Sequence, residues 1–281
     1  VRVVDYNQGA FALLIEAVGD SSWYSLSDGE LFQVSLFDET IAVVIENGSQ
    51  AVHGAPESSG PRSRISTGFP ELDHVLGGGL VKGSTALLAG WPGTGRTTLT
   101  LQMLNGLGCR CLYVTGEETR EQVVTTAQRI SAMSNRIHVF VERRLEEILA
   151  QAQAMHAQAL AIDTIQMLSC GHVRGRPGLP AQLRACMARL IDYARTTGTT
   201  LWLVGHLTAC GDIAGPRTIV HDVDIVLRLD QEDDRRILSC PGKNRFGPTN
   251  LVGRFRLTSS GFIEVGEEAS TPIETPHGAS S

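Results

Sequence analysis

No C-x-x-C pair occurs anywhere in the 281 residues. The cysteines are Cys109, Cys111, Cys170, Cys186, Cys210 and Cys240, and only Cys109 and Cys111 are near neighbours. That spacing gives no support for a zinc ribbon. The scatter suits reduced thiols in a cytoplasmic protein, used mainly as small buried hydrophobes. No apolar run approaches the ~20 residues of a membrane span. The N-terminus has no basic, apolar, small-residue signal pattern, which argues against secretion. The chain opens on Val1, as a trimmed or partial chain would. Positive charge is also scarce: 24 Lys and Arg stand against 30 Asp and Glu, a net charge of −6. The sum does not advertise nucleic-acid binding. Its distribution is uneven, because Arg174, Arg176, Arg184, Arg189 and Arg195 cluster against the single acid Asp192. Such a patch can bind phosphates on an acidic protein, or be an ordinary solvated helix face.

What is present is a core-forming composition, 42% hydrophobic, and an uneven organisation. Residues 1–50 read as short strands, with "FALLIEAV" and "LFQVSLFDETIAVVIEN" rich in β-branched and apolar residues. Residues 51–64 are small, polar and Pro/Gly-rich, which predicts a linker. From 65 to 265 apolar strands such as "TALLAG", "CLYVTG", "LALAID" and "LWLVGH" alternate with helical stretches. That alternation predicts an α/β domain with a mostly parallel sheet covered on both faces. Its last strands read as antiparallel. Residues 266–281 are polar and rich in Pro and Ser, as a disordered tail would be.

The chemistry centres on "LLAGWPGTGRTTLTLQML", Leu87–Leu104. A strand enters a glycine loop and a helix leaves it, the layout of a phosphate-binding loop. Gly90, Gly93 and Gly95 let the backbone turn and approach a phosphate, with Thr94 between them. The loop's N–H groups and the N-terminus of the following helix, which begins at Arg96, Thr97 and Thr98, then hold the anion. Thr97 stands where a hydroxyl would ligate Mg²⁺. Arg96 replaces the usual Lys: it stays cationic, but its longer planar fork alters the transition-state fit. A lost electrostatic contact of this kind costs about 10²–10³ in rate.

Downstream, "ALAIDTIQ" delivers Asp163 to a strand's C-terminal end, where it can hold the Mg²⁺ shell or cap a turn. "YVTGEET" ends a strand in Glu117 and Glu118. Either suits polarising an attacking water, and both suit first-turn acids of a helix. "LVGHLTACG" delivers His206 and Thr208, able to sense a terminal phosphate.

In this order the motifs resemble RecA-like ATPase cores, including the KaiC group. The run Lys243-Asn244-Arg245-Phe246-Gly247 resembles more narrowly the RadA/Sms bacterial DNA repair proteins. The resemblance implies a RecA-like core, about 65–265, that binds ATP and Mg²⁺ between subunits of a hexameric ring. It implies a DNA-dependent ATPase that threads single-stranded or branched DNA in recombination, beside other recombination proteins. By position, Gly90–Thr98, Asp163 and His206 would hold the nucleotide, with Thr97 and Asp163 serving the metal. Glu117 or Glu118 would place the water. Lys243 and Arg245 would act at the subunit boundary or on DNA. Arg174, Arg176 and Arg184, in a glycine-rich stretch without aromatics, become candidates for salt-sensitive DNA contact. Departures from the family pattern are Arg96 for Lys, Ala209 for Lys, and the expected absence of its four-cysteine zinc module and Lon-like domain. These leave open a weakly active or inactive regulatory paralogue. A KaiC-like signalling ATPase without DNA is the remaining alternative.

Overall fold

The computed structural model describes residues 63–216 and 218–265, together with the backbone of six strands between Arg2 and His53. The expected tail 266–281 and most of the expected linker lie outside the described residues. Contacts divide the chain into two compact units, Val1–Pro61 and Arg62–Ser281. In the first, β1 (Arg2–Asn7), β2 (Ala10–Ala17) and β3 (Asp20–Leu26) form one antiparallel sheet. A second contains β4 (Leu31–Leu36), β5 (Glu39–Glu46) and β6 (Ser49–His53).

The second unit opens with β7 (Arg64–Ile65), α1 (Pro70–Leu76) and β8 (Leu80–Val81). It continues through β9 (Thr85–Gly90), α2 (Arg96–Gly106), β10 (Cys111–Thr115), α3 (Arg120–Arg129), β11 (Ile137–Val141) and α4 (Leu145–Ala154). Next come β12 (Ala159–Asp163), α5 (Pro180–Thr197), β13 (Thr200–His206) and α6 (Thr218–Asp222). It closes with β14 (Ile225–Glu232), β15 (Arg235–Ser239), β16 (Val252–Thr258) and β17 (Gly261–Glu264). Nine of these strands form one sheet, ordered β11-β10-β12-β13-β9-β14-β15-β16-β17. The six from β11 to β14 are parallel, and the last three turn antiparallel.

Local sequence explains the element ends. Helix α3 starts at a capping box, in which Thr119 and Gln122 satisfy each other's backbone N–H groups. Helix α5 has Pro180 in its first turn and stops at Gly198 in the left-handed conformation. The period-2 alternation of the strands separates two cores. Ala86, Leu88, Tyr113, Ala161, Trp202 and Leu227 pack on the face carrying α1, α2 and α3. Leu87, Leu112, Ile162, Leu203 and Val226 pack on the face carrying α4, α5 and α6. Each large side chain so buried contributes about 1.5–3 kcal/mol before the entropy of ordering it. Among the described residues no helix is long and apolar enough to cross a membrane.

Register fixes where the site lies. Asp163 pairs with Thr115 on β10 and Val204 on β13, while Gly90 pairs with His206. The C-terminal ends of four adjacent parallel strands therefore meet along one edge, the place where open α/β sheets bind ligands.

Candidate nucleotide site

The glycine loop joins β9 to α2 as the spacing predicts. Gly93 and Gly95 have φ values of 81° and 96°, a region L side chains avoid, and a Cβ on Gly95 would meet the Phe262 ring at 2.7 Å. Thr94 folds the loop onto itself: its N–H and hydroxyl both donate to the Trp91 carbonyl, at 3.3 and 2.9 Å. Arg236 on β15, which the sequence reading did not single out, donates to the Thr94 carbonyl at 3.2 Å. The cap of α2, Gly95, supplies no side-chain acceptor. The amide-rich start of this 11-residue helix thus has the form of an anion cradle.

Asp163 stands against this helix. The Thr97 hydroxyl donates to its Oδ2 at 2.6 Å, and the Tyr113 hydroxyl donates to the same oxygen at 3.0 Å. Tyr113 was not anticipated. Its signal is an aromatic with a polar tip inside an apolar strand, since a buried hydroxyl needs a partner. Burial pushes the Asp163 carboxyl up from its ordinary value, opposed by those two hydrogen bonds and by Arg96.

Glu117 and Glu118 follow β10, and both backbone N–H groups donate to Thr115 Oγ1 at 3.2 Å. Their side chains diverge. Glu117 Oε1 accepts from the Thr164 hydroxyl at 3.0 Å and lies 3.1 Å from His206 Nε2. Glu118 turns inward, and its Oε2 is buried with no hydrogen-bond partner. Burial, then Asp163, then Glu117 raise its carboxyl. Arg96 reaches across to β13, where its fork bonds the Gly205 carbonyl and meets His206 Nδ1 at 3.2 Å. Burial lowers its pKa, while Asp163 and Glu117 pull the other way. Thus Arg96, His206, Glu117 and Thr164 form one polar chain, and Thr97, Asp163 and Tyr113 a second. Thr164 was also not anticipated; it follows Asp163 directly.

This donor set fits a divalent cation with phosphate. Two carboxylates, Asp163 and Glu117, act on the Arg96 guanidinium, Glu118 leaves an orphaned buried oxygen, and the hydroxyl of Thr97 donates to Asp163. Among the described residues no three His, Cys, Asp or Glu side chains form a metal cage of their own. Mg²⁺ needs no such cage, because it keeps waters and takes phosphate oxygens.

The other expected residues lie elsewhere. Arg174, Arg176 and Arg184 are exposed around the segment between β12 and α5. Gln182, buried and not singled out from sequence, organises that segment. Its side chain accepts from Cys170 N at 2.7 Å and donates to the carbonyls of Val173 at 2.6 Å and Gly175 at 3.2 Å. Lys243 and Arg245 sit at the opposite end of the sheet from the glycine loop. Asn244 bridges to Ile225, where β14 begins, whereas Gly90 pairs with Leu229. Those four residues of strand span about 13 Å. Lys243 Nζ donates to the Val220 carbonyl at 3.1 Å, and Arg245 Nη1 pairs with Asp224 at 3.3 Å. These two residues therefore do not serve the phosphate loop of their own chain.

With the geometry in place, relatives can be compared. Residues 65–139 match the family model described as "ATPase: KaiC". DNA repair protein RadA of Pseudomonas aeruginosa is 44% identical over 205 residues, covering 72% of this chain and 45% of that protein. The Escherichia coli protein of the same name is 40% identical with the same coverage. The matched core is RadA-like. A crystal structure of a KaiC-like protein from Pyrococcus horikoshii OT3 superposes with a TM-score of 0.61 at 21% identity, covering 73% of this chain and all of that one. It bears out the RecA-like fold. The chain with its RadA-like core spans about half the length of these curated relatives, 45%.

Proposed function

We propose that the RadA-like core binds ATP with Mg²⁺ and hydrolyses it slowly in a DNA-associated, recombinational repair role. The observation that carries the reading is the contact of Thr97 with Asp163 at the first turn of α2, directly behind the glycine loop. Gly90–Thr98 would hold the phosphates, and Thr97 and Asp163 the metal. When bound, Mg²⁺ supplies charge neutralisation at the phosphates. Glu117 would orient a water and take its proton; its half-exposed side chain, anchored by Thr164, supports that role. His206 joins Glu117 to Arg96 and would report an occupied terminal-phosphate position to the guanidinium.

DNA enters the reading through Arg174 and Arg176, exposed on the segment that follows β12, and Arg184, exposed early in α5. The proteins matched over this core are named for DNA repair. Assembly enters through Lys243 and Arg245, whose distance from their own loop suits service to a neighbour in a ring. Single-stranded DNA, branch migration and a hexamer belong to this proposal.

A second reading, a nucleotide-binding paralogue with little turnover, is favoured by one contact: Arg96 is engaged by the Gly205 carbonyl. Turnover of MgATP with and without single-stranded DNA separates the readings. Stimulated hydrolysis supports the first, and binding without hydrolysis supports the second. Failure to bind nucleotide sinks both. Changing Arg96→Lys is expected to raise turnover by about ten-fold or more, because the compact ammonium leaves His206 and returns to the phosphates. No gain from a near-zero rate would favour the regulatory reading. A salt titration of single-stranded DNA binding disposes of a signalling ATPase without DNA if affinity falls steeply with salt.

A further inference from the structure

The one close pair of cysteines has no part in the nucleotide site. Cys109 lies in the short turn between α2 and β10, and Cys111 is the first residue of β10. Their Sγ atoms are 3.8 Å apart. Cys109 is partly exposed, whereas Cys111 is fully buried. The Cys111 thiol also lies 3.3 Å from the Cys109 carbonyl, which holds it on the side of its neighbour. Lys82 and Arg136 both act electrostatically on Cys109 in the direction that favours its thiolate. An accessible sulfur in a positive field, backed by a protected second sulfur, is the arrangement of an attacking thiol with a resolving one.

We infer that Cys109 and Cys111 form an oxidant-reactive dithiol, in which Cys109 is attacked first by a hydroperoxide and Cys111 closes a disulfide upon it. The Cys109 thiolate attacks one oxygen of the peroxide and breaks the O–O bond. Cys109 becomes a sulfenic acid, and the second oxygen leaves as water or an alcohol after taking a proton. The Cys111 sulfur then attacks the Cys109 sulfur, the S–OH bond breaks, and the Cys111 proton leaves with the hydroxyl as a second molecule of water. The two sulfurs together lose two electrons and the peroxide gains them. Hydrogen bonding from Cys111 lowers the Cys109 thiol to about 7 against the opposing effect of burial, with a smaller lowering from Lys82 and Arg136. The same hydrogen bond and burial raise the Cys111 thiol, so Cys111 gives up its proton only in the closing step itself. The closing step requires the sulfurs to approach from 3.8 Å to the ~2.05 Å of a bond. That movement is local to the turn, where Gly108 has a φ of 65°.

The sequence supplies the assay. Arg110 lies between the two cysteines, so trypsin cleaves between them and only a disulfide keeps the fragments joined. The reduced full chain is treated with hydrogen peroxide, blocked with an alkylating agent, digested and mapped by mass spectrometry. The expected result is a joined Cys109–Cys111 peptide that separates on reduction. In the untreated chain, Cys109 should be alkylated roughly five-fold faster than the exposed Cys210 at neutral pH. In Cys111→Ser the joined peptide disappears and dimedone traps a sulfenic acid on Cys109. The wild-type map stands whether or not that variant folds. Fragments that separate without reduction, together with Cys109 reacting no faster than Cys210, would overturn the inference.

Discussion

Asp163 is 7% exposed, and its carboxyl lies in the field of Glu117 while acting in turn on Glu118. Burial raises both Asp163 and Glu118 above their ordinary carboxylate values. A carboxyl with a raised folded pKa binds more protons folded than unfolded. Its contribution to stability is therefore present at low pH and is lost as pH rises through the folded value. Asp163→Asn removes this cost while an amide oxygen still accepts from Thr97 and Tyr113. In the nucleotide-free protein the variant is expected to raise Tm by about 2–4 °C near pH 7, and by less near pH 4. It should abolish the Mg²⁺ dependence of nucleotide binding. Calorimetry at the two pH values checks the first half and titration with and without Mg²⁺ the second. An unchanged or lower Tm near pH 7 would contradict the electrostatic account.

At the scale of elements, the site depends on how α2 is fastened to the sheet. Trp202 in β13 is 1% exposed, and its Nε1 donates to the Thr100 hydroxyl of α2 at 3.0 Å. At the other flank Gln102 brackets β17, accepting from Phe262 N at 2.7 Å and donating to its carbonyl at 3.3 Å. Trp202→Phe leaves Thr100 without a donor and opens a void. It should cost about 1–3 kcal/mol in denaturant unfolding and weaken nucleotide binding only modestly. A neutral result would mean that α2 is positioned by the loop alone. Elements of this kind were partly legible in the sequence. The strand and helix order, the glycine loop and the strand ends bearing Asp163, Glu117 and His206 follow from periodicity and punctuation, which are local signals. Tyr113, Thr164, Gln182 and Arg236 do not stand out there, because their roles arise from partners 50, 47, 12 and 142 positions away. Helix α3 ends at Arg129 although the apolar spacing continues: Ser131 takes a φ of 53° and Ala132 bonds back to Ala127, which closes the helix.

At the scale of the whole molecule, the loop that would bind phosphate and the Lys243-Arg245 run occupy opposite ends of one sheet. One chain cannot bring them together, whereas a head-to-tail contact can. A mixing experiment tests the proposal that they complete each other's sites. Thr97→Ala disables the loop, and Lys243→Ala with Arg245→Gln disables the run. If each variant alone is inactive, random mixing should restore roughly a quarter of the interfaces, read as recovered ATP turnover. No recovery, with loss of single-stranded DNA binding in the second variant alone, would assign the run to DNA.

Two of the three tryptophans, Trp91 and Trp202, differ in a way that makes the protein its own optical instrument. Trp91 belongs to the glycine loop and is only partly buried, while Trp202 is sealed between α2 and the sheet. Trp91 emission should be quenched by iodide and protected as phosphate enters the loop. Trp202 should emit further to the blue and ignore iodide until the chain unfolds. In a Trp23→Phe background, which removes the third indole of the chain, light from one indole then reports occupancy, and light from the other reports integrity, with no label added.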